Sequence, residues 1–400
     1  MSVAEITRTA PTKLESTDYY HMDDLLTNQE REVRYRVREF MMNEVEPIIN
    51  DYWERGEMPM ELLPKLRALG ITGGPIPGYG CPGLSSVSMG LISMELSRGD
   101  GSLSTIYGVH SGLAMLSIFF LGSEEQKQKY LPQMATWETI GCFGLTEARG
   151  GSDAAHPETT ARREGDSWVI NGNKRWIGLA NIADFCIVWA RNEETGKVNG
   201  FIVPSNTPGY KAVPITGKIG KRAITNCDIY LDNVAIPLEN KLENSNSFRD
   251  TAIVLGATRI GVAWEAIGHA MAAYEYALDY AKRRVQFGKA IAGYQLTQSK
   301  LVNMLGKITA MQMMTLRLSQ LIDQGKVTEG KASLAKAFNT ANAREVVALG
   351  REILGGNGIL LENHIARHFA DMEAVYTYEG THDINTLVVG REITGVQAFA

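Results

Sequence analysis

Between positions 28 and 51 the apolar residues Val33, Val37, Phe40, Met41, Val45 and Ile48 recur at spacings of three and four. That period predicts a helix with one buried face, with Pro47 near its end. A second helix is expected from Glu61 to Leu69, closed by Gly70. The stretch GGPIPGYGCPG at 73 to 83 is too rich in glycine and proline to be anything but loop. Helical patterns resume through MGLISMELSRGD, LAMLSIFFL and EEQKQKYLPQM, up to about Trp137. The first third thus reads as helix, preceded by a polar, aperiodic arm over residues 1 to 20.

The period changes at Thr139. From there to about Pro237 come short β-type runs separated by turn residues: WVI and NKRWI within 168 to 177, DFCIVWAR at 184 to 191, GFIVP at 200 to 204 and CDIYLDNVAIP at 227 to 237. Asn171-Gly172, between the first two runs, predicts a hairpin turn. This third reads as a small antiparallel sheet or barrel, able to hold a flat ligand against its face. A polar link at 238 to 250 leads into long helical patterns over roughly 251 to 284, 296 to 323 and 328 to 354, with stops at Gly325 and Gly355-Gly356. The stripe Met304, Leu305, Ile308, Met311 and Leu318 suits the core of a bundle. The organisation expected is an N-terminal helical domain (1–138), a middle β domain (139–245) and a C-terminal helical bundle (246–400).

Composition narrows the partners. A chain of 400 residues with 44% hydrophobic content can bury substantial cores. With 40 basic and 45 acidic residues the net charge is −5, no basic cluster carries interleaved aromatics, and no nucleic-acid partner is expected. The longest apolar run, LAMLSIFFL at 113 to 121, falls short of the roughly 18 residues that a bilayer span needs, so it reads as a buried helix and no membrane partner is expected. Cys81, Cys142, Cys186 and Cys227 show no short ligand spacing, so neither a metal site nor a disulfide is expected. The N-terminus lacks the features of a secretory signal and VQAFA at the C-terminus is no peroxisomal tripeptide, which points to a cytoplasmic protein.

Chemistry enters with VYTYEGTHDIN at 375 to 385. Glu379 follows Val375, Tyr376 and Tyr378, and desolvation by such neighbours raises a Glu pKa above about 4.3, towards values suited to removing a weakly acidic C–H proton. Gly380 leaves the backbone beside it open to a ligand. By itself, though, a Glu-Gly pair is more often a solvated surface loop.

GCFGLTEARGGSD at 141 to 153 offers backbone N–H and hydroxyl donors to a phosphate, or is merely a glycine-rich connector. In KRWIGLAN, Trp176 could lie against a flat cofactor or fill the sheet's core. KRRVQFGK at 282 to 289 suits gripping a pyrophosphate, though helix ends commonly carry bases. LGGNGIL at 354 to 360 either presents amides to a phosphate or caps a helix; it lacks the preceding strand that a Rossmann fingerprint requires.

Taken in order, GYGCPG, SEEQKQKYLP, FGLTE, GGSD, KRWI, RRVQFGK, LGGNG and YEGTHDIN resemble the acyl-CoA dehydrogenase family along nearly the whole chain. GYGCPGLSS, GCFGLTE and YEGTHDIN followed by GREITG look closest to its glutaryl-CoA dehydrogenase branch and to plant short-chain acyl-CoA oxidases, and TDYYHMDDLLT leans towards the latter. The resemblance implies an N-terminal α-helical domain, a middle antiparallel β domain and a C-terminal four-helix bundle, with FAD bound between the last two and a homotetramer completing the site.

By motif, the resemblance puts Phe143, Leu145, Thr146, Gly151 and Ser152 against the flavin and its pyrophosphate, and Trp176, Ile177 and Gly178 beside the isoalloxazine. Arg284, Phe287, Gln295, Glu352, Gly355 and Gly356 would bind the adenosine-diphosphate half across a subunit boundary, with Thr381 and Asp383 finishing the cradle. Glu379 matches the catalytic base, and Ser97, Ser104, Ser152, Leu255, Arg259, Tyr378 and Gly380 would surround the acyl-CoA substrate.

The activity implied is α,β-dehydrogenation of a short-chain acyl-CoA to a trans-2-enoyl-CoA, with electrons passing to an electron-transferring flavoprotein. Two departures bear on it. Glutaryl-specific relatives resemble this chain but carry Glu and Arg where Ser97 and Ser104 stand. Gly178 replaces the threonine usual in dehydrogenases of that branch, as it does in the plant oxidases, so a short-chain acyl-CoA oxidase reducing O2 to H2O2 is one alternative reading and a glutaryl-CoA dehydrogenase the other. A catalytically silent flavoprotein and a nitroalkane oxidase, which uses Asp as base, are both disfavoured by Glu379.

Overall fold

The computed structural model describes residues 17–398, so most of the expected arm lies outside the described residues. α1 (Asn28–Phe40) opens on a capping box between Thr27 and Glu30 and buries Val33, Val37 and Phe40. The helical path does not stop near Pro47. A π turn, Met41–Val45, relays it into α2 (Glu46–Arg55), where Pro47 occupies the first turn and its missing N–H breaks no bond.

α3 (Leu62–Ala68) follows, then a minimal ribbon of β1 (Pro77–Gly78) and β2 (Cys81–Pro82) inside the predicted loop. Next come α4 (Ser86–Gly99), α5 (Gly101–Tyr107), a second π turn at Gly108–Ala114, α6 (Met115–Leu121) and α7 (Glu124–Ala135). Among the described residues, Gly101–Leu121 is the one helix long and apolar enough to cross a membrane by length and composition. In this fold it is a core helix, with Leu103, Ile106, Met115 and Ile118 buried.

The middle region is a seven-stranded sheet: β3 (Gly141–Gly144), β4 (Thr160–Glu164), β5 (Ser167–Gly178), β6 (Phe185–Asn192), β7 (Val198–Pro204), β8 (Tyr210–Pro214) and β9 (Asn226–Pro237). Most pairings are antiparallel, but β6 pairs in parallel with both β3 and β4. β3, β4 and β8, each five residues or shorter, carry too little alternation to read from sequence.

The expected hairpin at Asn171-Gly172 is absent. Those residues lie inside the continuous strand β5, where the register against β9 shifts between Ile170 and Gly172. Gly172 has φ +147 and a Cβ there would lie 2.6 Å from Thr159 Cα, so the glycine serves a close backbone approach rather than a turn. The actual two-residue turn is Gly165-Asp166, joining Glu164 to Ser167 with φ +57 at the glycine.

The C-terminal region consists of α8 (Phe248–Arg283), a short ribbon of β10 (Val285–Gln286) and β11 (Lys289–Ala290), α9 (Gln295–Asp323), α10 (Glu329–Ile353), α11 (Ile365–Thr377) and α12 (His382–Thr394). Met304, Ile308, Met311 and Leu318 are buried in its core and Leu305 partly so, as the stripe predicted. One apolar cluster joins α1 and α4 to the sheet through Val37, Ile92, Val188 and Ile229; a second joins α4 to the bundle through Leu91, Met94 and Trp264. α4 therefore ties the three regions together. A third cluster gathers Phe143, Leu145, Ile118 and Val254, with Leu255 packed on it.

Candidate active site

The loop between α11 and α12 is three residues plus a cap. Thr381 caps α12 by accepting from the Ile384 N–H at 3.2 Å, and exposed Asp383 stands in its first turn. Glu379 has φ +54 and Gly380 φ +82, so a glutamate occupies the left-handed region that favours glycine. Such a conformation persists where the surroundings hold it. Lys336 Nζ donates to the carbonyls of Tyr376 (3.0 Å) and Gly380 (2.7 Å), and Asn385 Nδ2 to those of Gly380 (2.8 Å) and Thr381 (3.0 Å).

The turn aims the Glu379 carboxylate at α8, where Thr258 Oγ1 donates to Oε2 at 3.3 Å. Burial raises its pKa, against the pull of Arg259, the Thr258 bond and Lys336, while Glu265 adds to the rise. Burial also pushes Lys336 down to about 8, with Glu379 opposing. A desolvated carboxylate that still ionises is what proton abstraction from carbon needs.

The sign of this shift yields an expected result. Glu379 holds its proton more tightly in the folded than in the unfolded chain. Its stabilising share is therefore complete below the ordinary glutamate value and is lost as pH rises through the raised native one. A reaction that used Glu379 as its base would need the ionised form and should then show its acid limb above the roughly 4.3 of an exposed glutamate. A pH profile of kcat/KM with its limb at or below that value would contradict this environment.

The other expected residues fall into three groups. Around Glu379, Arg259 is buried, donates to Ser333 Oγ at 3.1 Å and lies 3.5 Å from Glu329, while Tyr378 donates its hydroxyl to Glu265 at 2.7 Å. Ser97 and Ser104 are buried and joined by a 3.0 Å hydrogen bond, with Ser97 also donating to Ser93 O at 2.6 Å.

A second group lies on the sheet. Phe143, Leu145, Ile177 and Gly178 are buried, Thr146 is half-buried, and Gly151 and Ser152 are exposed. Lys174 Nζ holds the connector after β3, donating to Leu145 O at 3.0 Å and Glu147 Oε1 at 2.7 Å. Trp176 does not fill the core: it has φ +66 and is 51% exposed. The π turn Gly108–Ala114 links these two groups. A Cβ on Gly178 would lie 3.2 Å from Val109 Cγ2, and one on Gly112 3.6 Å from Thr258 Cγ2.

A third group, Arg284, Glu352, Gly355 and Gly356, lines an open groove of ≈ 380 Å³ with Tyr280 and Asn357. Glu352 is paired with Lys300 at 2.7 Å. Phe287-Gly288 forms a two-residue turn with φ of 50° and 83°, which throws the Phe287 ring 95% into solvent. Gln295, the exposed first residue of α9, stands beyond it.

These residues fit FAD. Nothing lies within 4 Å of where a Cβ on Gly355 or Gly356 would stand, Arg284 offers a guanidinium fork, the Phe287 ring is exposed, and the half-exposed Trp176 ring carries the Arg175 guanidinium 5.3 Å from its centroid. The sequence reading missed Thr258, Glu265, Lys221 and Lys336. A signal for Lys336 existed: it shares a face of α10 with Ala332, Asn339 and Ala343, where a lone lysine interrupts small buried residues.

Comparison with known proteins identifies the family. The acyl-CoA dehydrogenase N-terminal, middle and C-terminal domain descriptions match residues 27–138, 142–234 and 248–394. The short-chain specific acyl-CoA dehydrogenase, mitochondrial, of Homo sapiens is 32% identical over 357 residues, 88% of this chain and 87% of that one. Glutaryl-CoA dehydrogenase from Mycobacterium smegmatis superposes with a TM-score of 0.94 at 39% identity, over 96% of this chain and 99% of that one. A second structure of a glutaryl-CoA dehydrogenase from that organism, in complex with FADH2, has a TM-score of 0.94 at 36% identity, covering 97% and 100%. The chain therefore belongs to the acyl-CoA dehydrogenase family of FAD-dependent oxidoreductases.

Proposed function

We propose that this chain dehydrogenates short, uncharged acyl-CoA thioesters to trans-2-enoyl-CoA, with Glu379 as base and an electron-transferring flavoprotein as acceptor. The observation that carries the proposal is the Glu379 turn: a carboxylate held in a left-handed conformation, desolvated, and bonded to Thr258. Glu379 takes the proton from the carbon next to the thioester. FAD, when bound, supplies the acceptor for the hydride lost from the β-carbon. Arg284, Gly355 and Gly356 would hold its diphosphate, and the connector around Thr146, with Trp176, its flavin end.

Exposed Val285, Phe287, Leu296 and Val302 (57%, 95%, 80% and 70%) beside that groove support a homotetramer in which a second copy covers them. The four cysteines, all thiols here, suit a cytoplasmic, reducing setting. The deciding test is anaerobic addition of butyryl-CoA to the purified yellow protein: bleaching is expected, and an unbleached flavin would reject the activity.

Oxidase activity is the second reading, favoured by Gly178. A methyl group there would meet Val109 Cγ2 at 3.2 Å and Ile224 Cδ1 at 3.3 Å, so this backbone is closely lined and carries no hydroxyl. Substrate-reduced, product-bound protein should reoxidise slowly in air-saturated buffer, in wild type and Gly178→Thr alike, if it is a dehydrogenase. Rapid reoxidation with stoichiometric peroxide, slowed by the threonine, would make it an oxidase.

A further inference from the structure

The turn that presents Glu379 leans on a buried ion pair. Tyr378, the residue before the base, donates its hydroxyl to Glu265 Oε2 at 2.7 Å, and Glu265 Oε1 accepts from Lys221 Nζ at 2.5 Å. Both charged side chains are buried, Glu265 in the middle of α8 and Lys221 in the segment between β8 and β9.

Each element packed against the pair contributes a group. α5 supplies Gly101 O, which accepts from Lys221 Nζ at 2.8 Å, and Thr105, which faces the Tyr378 hydroxyl. α8 supplies His269, whose Nε2 lies 3.3 Å from Lys221 Nζ. α11 supplies Asp371, which accepts from the Lys221 N–H, and His368, whose Nδ1 lies 2.8 Å from His269 Nδ1. Burial, reinforced by Lys221, keeps His269 well below the ordinary imidazole value; burial and Arg367 do the same for His368, so both rings are neutral near pH 7. Burial pushes Asp371 up to about 6 against the pull of Lys221.

Two charges taken out of water contribute little stability relative to an apolar pair of the same size. They do fix one place where the Tyr378 hydroxyl can bond. Tyr378 and Glu379 are consecutive, so an anchored Tyr378 ring restricts where the left-handed Glu379 can point.

We infer that Glu265 is a positioning residue for the base: bridged between Lys221 and Tyr378, it anchors the turn that carries Glu379 and adds a negative charge to its surroundings. This rests on Glu379 being the base of the proposed reaction. After burial, which dominates, the charges around Glu379 are Arg259 and Glu265 on α8 and Lys336 on α10; of these Glu265 alone opposes ionisation.

Glu265→Gln keeps the shape and can still accept from Tyr378 while removing that negative charge. The acid limb of flavin reduction by butyryl-CoA should therefore move to lower pH, and the same move should appear without substrate in the carboxyl C=O infrared band of Glu379, assigned with Glu379→Gln. Tyr378→Phe, which keeps the ring and guards against a Glu265 variant that fails to fold, should lower the flavin-reduction rate about tenfold at unchanged KM, as one lost anchoring hydrogen bond predicts. An unmoved limb and infrared band in Glu265→Gln, or an unchanged rate in Tyr378→Phe, would overturn the inference while leaving the proposed activity standing. Wild-type flavin that butyryl-CoA does not reduce, together with an infrared shift in Glu265→Gln, would reject the activity and keep the coupling.

Discussion

Glu379→Gln protein should purify yellow, with its full complement of FAD, and reduce that flavin at least about a thousandfold more slowly on mixing with butyryl-CoA, the scale expected when an essential base is removed. Glutamine preserves the size of the side chain, and its amide oxygen can still accept from Thr258 Oγ1, which donates to Oε2 at 3.3 Å in the wild type. The turn is held by Lys336 and Asn385 through backbone carbonyls, contacts that the substitution leaves in place. FAD content and substrate binding should survive for that reason. What disappears is the only carboxylate that this turn presents. Stopped-flow absorbance at the flavin maximum reads the rate directly, and near-normal reduction would show that the base lies elsewhere.

Glutaryl-CoA should be a far poorer substrate than butyryl- or hexanoyl-CoA, even though a solved relative at 39% identity is a glutaryl-CoA dehydrogenase. A terminal carboxylate entering a buried pocket needs a cation or several donors. Ser97 and Ser104 offer hydroxyls already engaged with each other at 3.0 Å, and Ser97 with Ser93 O at 2.6 Å. The buried cations on these elements already have partners: Arg98, next to Ser97, pairs with Glu275, Arg259 with Ser333 and Glu329, Lys221 with Glu265, and Lys336 with the carbonyls of Tyr376 and Gly380. Leaving a buried charge unpartnered costs about 3–5 kcal/mol, which corresponds to roughly a hundredfold to a thousandfold or more in kcat/KM. The comparison of kcat/KM for the three thioesters tests this. Equal values for glutaryl-CoA, or carbon dioxide released from it, would mean that one of those cations changes partner when the substrate binds.

Much of this molecule was legible before any fold was known. Long helices announce themselves because burial on one face imposes a period of 3.6 over many turns, and α8, α9 and α10 begin and end within about three residues of where that period placed them. The candidate base was named from the motif YEGTHDIN, which resembles the family's, since Tyr378, Glu379 and Gly380 are consecutive in the chain. Short strands were less legible: β3 acquires its state by pairing with the distant β6, β4 and β8 are too short to show an alternation, and Asn171-Gly172 looked like a turn because local chemistry cannot show that Thr159 crosses over it.

The sequence by itself determined the helical, β and helical order through its periodicity, and it pointed to the family and the candidate base through the ordered motifs that resemble that family. Only the tertiary structure decided how that base is tuned. The groups acting on Glu379 and its turn come from far along the chain: Thr258 is 121 residues away, Glu265 reaches Tyr378 across 113, and Lys336 reaches Gly380 across 44. Desolvation and Coulomb forces depend on distance in space, which local sequence does not encode until the chain has packed.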